Sequence, residues 1–198
     1  MTATAFKLPP ITKLPLEEYL RLEPTADDKQ EYVSGGVVAM AGATREHNEI
    51  VSNLIFAVRN CLKDKPCSIY PSDLRVTTPA HRSYFYPDAT IVCGDAQLQE
   101  AVFDTLLNPL VIFEVMSEAT QNVDRGYKFF HYQQIPSLQE YVLIDSQQQA
   151  IDIIRREANG AWQFKKCPVT EKQIHLVCVD CTLFFDDIYH RVQFPEAD

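Results

Sequence analysis

Residues 109–117 read Pro-Leu-Val-Ile-Phe-Glu-Val-Met-Ser, an apolar run with one carboxylate inside it. β-Branched and aromatic residues dominate, so the run predicts a strand buried on both faces and therefore central in its sheet. Alternation puts Glu114 on the face shared by Ile112 and Met116. A carboxylate there is costly unless it is paired or metal-bound. The rest of the 198-residue chain has to cover this strand and supply Glu114 with a partner.

The flanking sequence predicts that scaffold. Residues 1–15, with Pro9, Pro10 and Pro15, predict an extended arm. Leu16 to Leu22 has helical spacing behind Pro15, and Pro24 ends it. Glu31 to Met40 predicts a hairpin turning at Ser34-Gly35-Gly36. Ile50, Leu54, Val58 and Leu62 recur at helical spacing, so residues 45–63 predict a core helix with Thr44 as its N-cap. Residues 67–78 predict one strand interrupted at Pro71, and residues 83–93 a second with an edge or bulge at Pro87. Residues 94–108 predict a loop. Residues 120–132 predict a helix, and residues 140–145 a strand parallel to 109–117. Residues 150–156, 162–166 and 174–177 predict an antiparallel meander with a type I′ turn at Asn159-Gly160. The tail, residues 184–192, predicts a short helix. The expected fold class is α/β (α+β): a single domain over 1–198 with a mixed sheet flanked by helices, an N-terminal hairpin and a C-terminal β extension.

Composition sets the compartment and limits the partners. No apolar run approaches a membrane span and no signal-peptide pattern opens the chain, so the expected location is cytoplasmic. Six cysteines in such a chain are expected to be free thiols. Cys178 and Cys181 form a C-x-x-C that, with His175, offers an alternative zinc site. Net charge is −9, unlike a basic nucleic-acid coat protein. An enzyme holding a cation is less constrained, because the metal offsets its acids.

Tyr86-Pro87-Asp88 places a second acid on the strand next to Glu114. Two carboxylates from adjacent strands can share one oxygen-ligated cation such as Mg²⁺. Lys128, four residues past Asp124, can reach the same pocket and stabilise a phosphoryl group. The pair Asp124 and Lys128 also fits an ordinary surface ion pair. His47 fits either a helix-start histidine or a substrate contact. Glu31, and more weakly Asp73, fit either exposed acids or additions to the site.

In order along the chain, Glu31-Tyr32, Met40-Ala-Gly-Ala-Thr with His47, Ser72-Asp73-Leu-Arg-Val76, Tyr86-Pro87-Asp88, Glu114-Val-Met-Ser117, Asp124 to Lys128, and Leu138 to Asp145 form a set. That set resembles the Uma2 family of restriction-endonuclease-like proteins, within the PD-(D/E)XK nuclease superfamily, over about residues 15 to 165. The resemblance implies an αβββαβ core and DNA as substrate. It implies Asp88 and Glu114 as catalytic acids that bind Mg²⁺ (or Mn²⁺), with Glu31 as an extra metal acid. The superfamily lysine belongs two residues after the glutamate, where Met116 stands; the resemblance points instead to Lys128 as the catalytic amine. His47, Asp73 and Asp124 are then the expected substrate-side residues, and a homodimer the expected assembly. The competing expectation is a catalytically inactive nuclease-like fold acting as a protein-interaction module.

Overall fold

Val111–Met116 is a strand with every residue buried, inside a six-stranded sheet. The structure is a computed structural model that describes residues 12–40, 42–99, 104–118 and 120–194. Most of the expected N-terminal arm, residues 1–11, lies outside the described residues.

In chain order the first elements are β1 (Thr12–Lys13), α1 (Leu16–Leu22), β2 (Gln30–Val33), β3 (Gly36–Ala39) and α2 (Arg45–Cys61). Next come β4 (Cys67–Pro71), β5 (Arg75–Thr77), β6 (Ser83–Phe85), β7 (Ala89–Cys93), β8 (Thr105–Leu106) and β9 (Val111–Met116). A π-helical stretch, Val123–Lys128, then runs into α3 (Phe129–Tyr132). Last are β10 (Glu140–Asp145), β11 (Ile151–Arg156), β12 (Trp162–Cys167), β13 (Gln173–Leu176), β14 (Cys181–Phe184) and α4 (Phe185–Ile188).

The strands form two six-stranded sheets, β1-β3-β2-β6-β5-β8 and β12-β11-β10-β9-β7-β4, plus the pair β13-β14. β9 and β10 are parallel, joined by the α3 crossover. The order α2, β4, β7, β9, α3, β10 is the expected αβββαβ core.

Period-two alternation along β9 splits the core. Val111, Phe113 and Val115 face a cluster with Ile50, Leu54 and Val58 of α2. Ile112 and Met116 face the other cluster, with Val33, Val76 and Phe85 of the first sheet and Tyr132 of α3. α2 follows the spacing of its apolar residues, and Thr44 caps it by accepting the His47 N–H at 3.2 Å. Truncating Leu54, which is fully buried, removes a stripe contact of the kind that costs about 2–5 kcal/mol.

Several expectations need correction. Residues 67–78 do not form one kinked strand: β4 lies in one large sheet and β5 in the other. Residues 83–93 divide the same way, and the expected edge or bulge at Pro87 is a hand-over between sheets. Proline has no N–H to continue a ladder, so the chain leaves the first sheet there and re-enters the second after Asp88. The expected loop at 94–108 contains β8, which pairs parallel to β5. β13 does not extend the meander; it pairs with β14. Of Asn159 and Gly160 only Gly160 has positive φ, so the turn is not type I′.

Four of the six cysteines are paired rather than free, as Cys61–Cys181 and Cys67–Cys93. Cys67 and Cys93 are cross-strand partners, and Cys61 ends α2 where Cys181 begins β14. Such proximity is a product of register and packing, invisible in linear spacing. The pairing also removes Cys181 from the expected zinc trio. His175 Nδ1 is engaged by Thr182 Oγ1 at 3.1 Å, and the Cys178 thiol donates to Glu140 Oε2 at 3.0 Å.

Candidate active site

Strand register brings the two principal acids together. β7 and β9 are antiparallel, with Ala89 opposite Phe113. Continuing that register by one residue sets Asp88 opposite Glu114 on one sheet face. Where the ladder stops at Pro87, the Asp88 side chain substitutes for it: Oδ2 accepts the Val115 N–H at 2.7 Å. His47, in the first turn of α2, brings Nε2 to 3.2 Å from the same oxygen. His47 Nδ1 is buried and has no hydrogen-bond partner among the described residues.

Lys128 gathers the other acids. Its Nζ lies 3.1 Å from Glu114 Oε1, 3.2 Å from Glu31 Oε1 and 3.5 Å from Asp124 Oδ1. Asp124 and Lys128 are only 3% and 7% exposed, so they are not the ordinary surface pair their spacing also allowed. Both lie on the π-helical stretch, a winding found mostly as local insertions at functional sites. Met116, where the resemblance places a lysine, is buried in apolar packing, and the amine that reaches Glu114 comes from the helix.

Two contacts escaped the sequence reading. Tyr132 OH donates to Glu114 Oε1 at 2.9 Å, and the Tyr86 N–H donates to Glu31 Oε1 at 3.3 Å. Tyr132 stands four residues after Lys128, a spacing that puts both on one helix face. That signal was available; the backbone contact of Tyr86 had none. Asp73 makes none of the cluster's contacts. It is an exposed turn residue whose Oδ1 pairs with Lys29 Nζ at 2.6 Å.

The electrostatics are one-sided. Burial, then the neighbouring Asp124, Asp88 and Glu31 charges, hold the Glu114 carboxyl well above the usual range, against the pull of Lys128. Asp124 is raised by burial, while Lys128 and the Thr120 hydroxyl oppose the shift. For Lys128, burial favours the neutral amine, but the surrounding acids outweigh it and keep the ammonium charged. Three carboxylates therefore crowd one lysine, with Asp88 adding to their field and His47 beside Asp88.

That acid surplus and its all-oxygen acidic donors suit a hard divalent cation. Asp88 and Glu114 are the cross-strand pair that can hold one, with Glu31 adjoining. Among the described residues no three His, Cys, Asp or Glu side chains form a ready-made metal cage. Mg²⁺ commonly uses one or two carboxylates and retains several waters, so two acids suffice for it.

A crystal structure from Anabaena variabilis ATCC 29413, described as "a putative nuclease belonging to DUF820", matches this fold with a TM-score of 0.71. The match covers 89% of this chain and 97% of that one, at 17% identity. The molecule thus has a nuclease-like α+β fold. At the level of sequence, the profile of the Uma2 family, described as "Putative restriction endonuclease", matches residues 16–180, and the chain belongs to that family. Two uncharacterized Synechocystis sp. (strain ATCC 27184 / PCC 6803 / Kazusa) proteins are similar to it. Protein slr1290 is 31% identical over 93% of this chain and 96% of its own. Protein sll1609 is 32% identical over 73% and 82% respectively. Among the described residues no helix is long and apolar enough to cross a membrane.

Proposed function

We propose that this protein is a Mg²⁺- or Mn²⁺-dependent endonuclease that hydrolyses DNA phosphodiester bonds. The observation that carries the proposal is the convergence of Glu114, Glu31 and Asp124 on the buried Lys128 ammonium, with Asp88 set across the sheet from Glu114. The family description and the nuclease-like fold support it.

Asp88 and Glu114 would hold the cation, with Glu31 adding charge to its surroundings. When bound, Mg²⁺ would supply charge stabilisation at a phosphoryl oxygen and a more nucleophilic water. Lys128 supplies a fixed positive charge for the phosphate oxygens as water adds to phosphorus and one ester P–O bond breaks. Asp124 and Tyr132 are positioning residues: one holds the amine and the other orients Glu114. His47 faces the substrate side of Asp88. The metal and Lys128 offset the acidity that would otherwise repel DNA.

Incubating purified protein with DNA and Mg²⁺ or Mn²⁺ tests this. Cleavage by wild type, lost with a chelator and in Asp88→Ala and Glu114→Ala, is the expected result. Equal activity in wild type and both variants overturns it.

One observation favours a second reading, a nuclease-like fold used only as a protein-interaction module: Lys128 already sits among the acids that a metal would need. Calorimetry separates the two. Mn²⁺ binding to wild type but not to Glu114→Ala rules out the module as sole function.

The proposal includes a cytoplasmic homodimer. Tyr127 and Phe130, 51% and 60% exposed around α3, offer apolar surface for a second copy. A monomeric mass by light scattering would remove the dimer from the proposal.

A further inference from the structure

A row of paired residues crosses the sheet from the acid cluster to a second feature. Glu114 pairs with Leu143, Leu143 with Asp152, and Asp152 with Lys166, all on one face. Three strand spacings of about 4.8 Å place Lys166 roughly 14 Å from Glu114. Over the far end of that row lies a groove of about 520 Å³ with Leu143 and Ile154 in its lining. Phe129, Trp162 and Phe164 add aromatic surface, and Arg125 and Lys166 add positive charge.

These side chains are unusual company for an acidic protein's surface. Phe164 is 49% exposed on a strand whose apolar neighbours are largely covered. Lys166 is exposed and forms no ion pair among the described residues. Arg125 pairs with Asp152, and the Arg156 guanidinium stacks 4.5 Å above the Trp162 ring. A wet aromatic face beside uncommitted positive charge suits a base with its phosphate attached, because stacking serves any base and the cation serves the backbone. The groove is continuous with the sheet face that carries Glu114.

We infer that this groove between α3 and β11–β12 binds an unpaired nucleotide of the substrate strand, stacked on Phe164 beside the Arg156-covered Trp162, with its phosphate on Lys166. The inference rests on the endonuclease reading and deepens it: the preferred substrate is single-stranded DNA, or a duplex with a single-stranded flank.

Fluorescence anisotropy without divalent metal tests binding apart from cutting, using one labelled oligonucleotide both single-stranded and paired. Wild type is expected to bind the single strand about ten-fold tighter than the duplex. Phe164→Ala and Lys166→Glu are each expected to remove most of that preference. Phe184→Ala, at another exposed aromatic on β14, is expected to leave it unchanged. Equal affinity for both forms, no single-strand binding, or unchanged affinity in Phe164→Ala and Lys166→Glu would overturn the inference. A cleavage assay keeps the two ideas separate. Cutting that persists beside groove-independent binding refutes the groove alone. Groove-dependent binding by a protein that never cuts supports the groove and refutes the nuclease.

Discussion

Arg75 and Lys128 are both buried cations, 0% and 7% exposed, but their surroundings differ in kind. Among the described residues Arg75 meets one acid: its Nη1 donates to Glu23 Oε2 at 3.0 Å, and its Nε donates to Thr105 Oγ1 at 3.0 Å. The rings of Tyr19 and Tyr84 flank it at 5.6 and 5.0 Å, and Tyr86 OH closes on the other Glu23 oxygen. Among the described residues charge is matched one for one, and this cluster ties the α1 region to the first sheet. Lys128 faces three acids within 3.5 Å, with Asp88 adding to their field. Charge there is left in surplus. Tyr86 joins the two clusters, its hydroxyl on Glu23 and its N–H on Glu31. A matched buried pair is a structural tie; a surplus of buried acids costs stability and is suited to an incoming cation.

The largest expected effect lies in the matched cluster. Arg75→Ala leaves Glu23 buried without its cation and is expected to cost about 3–5 kcal/mol in urea unfolding. Replacing both partners, as Arg75→Met with Glu23→Gln, should recover much of that loss, because the buried ion pair is removed as a whole instead of leaving Glu23 charged and unpaired. A double variant as unstable as the single one would show that the cluster is not a simple pair. Next comes Lys128→Met, which strips the surplus acids of their internal cation. It should lower stability by about 2–3 kcal/mol in metal-free buffer. Added Mn²⁺ should then raise its Tm more than it raises that of wild type. Metal-insensitive melting of this variant would count against a cation site at these acids.

The contrast was only half legible in the sequence. Glu114 declared itself, because one carboxylate in an apolar run has to be partnered. Its alternation with Ile112 and Met116 also fixed the face it occupies. Asp88 was legible through the strand break at Pro87, although the break is a change of sheet and not a bulge. Lys128 could be reached from Asp124 by helical spacing, and the resemblance to the family singled it out. Arg75 and Glu23 gave no such signal: they are 52 residues apart, and only folding makes them neighbours. The disulfide partners were hidden for the same reason, since 120 residues separate Cys61 from Cys181. Local pattern predicts elements and faces; it does not predict which two distant elements meet.

A smaller stability effect, with a large functional one, is expected at Glu114→Gln. The amide keeps the size of the side chain and removes one charge from the surplus. Stability should stay within about 1 kcal/mol of wild type or rise, since the buried carboxylate is held in an unfavourable environment. Cleavage and Mn²⁺ binding should both be lost, because an amide is a poor substitute for a metal-binding carboxylate. A variant that unfolds as readily as Arg75→Ala would place Glu114 among the structural ties and erase the distinction between the clusters.

The smallest effect is expected at Asp73, which the sequence grouped with the site and the structure sets apart. Its side chain is 82% exposed and its partner, Lys29, is 37% exposed. Exposed pairs of this kind contribute little, because water already solvates both charges. Lys29 would also keep its place without Asp73: Nζ donates to Ser72 O at 3.3 Å and to Ser72 Oγ at 3.0 Å, and it lies 5.8 Å from the Tyr86 ring centroid. Asp73→Ala should therefore change unfolding stability by less than about 0.5 kcal/mol. DNA cleavage and Mn²⁺ affinity should match wild type in the same assays that score Asp88→Ala. A loss of cleavage with unaltered stability would instead draw the functional acids out along Lys29 to the exposed turn, and the buried cluster would no longer mark the boundary of the site.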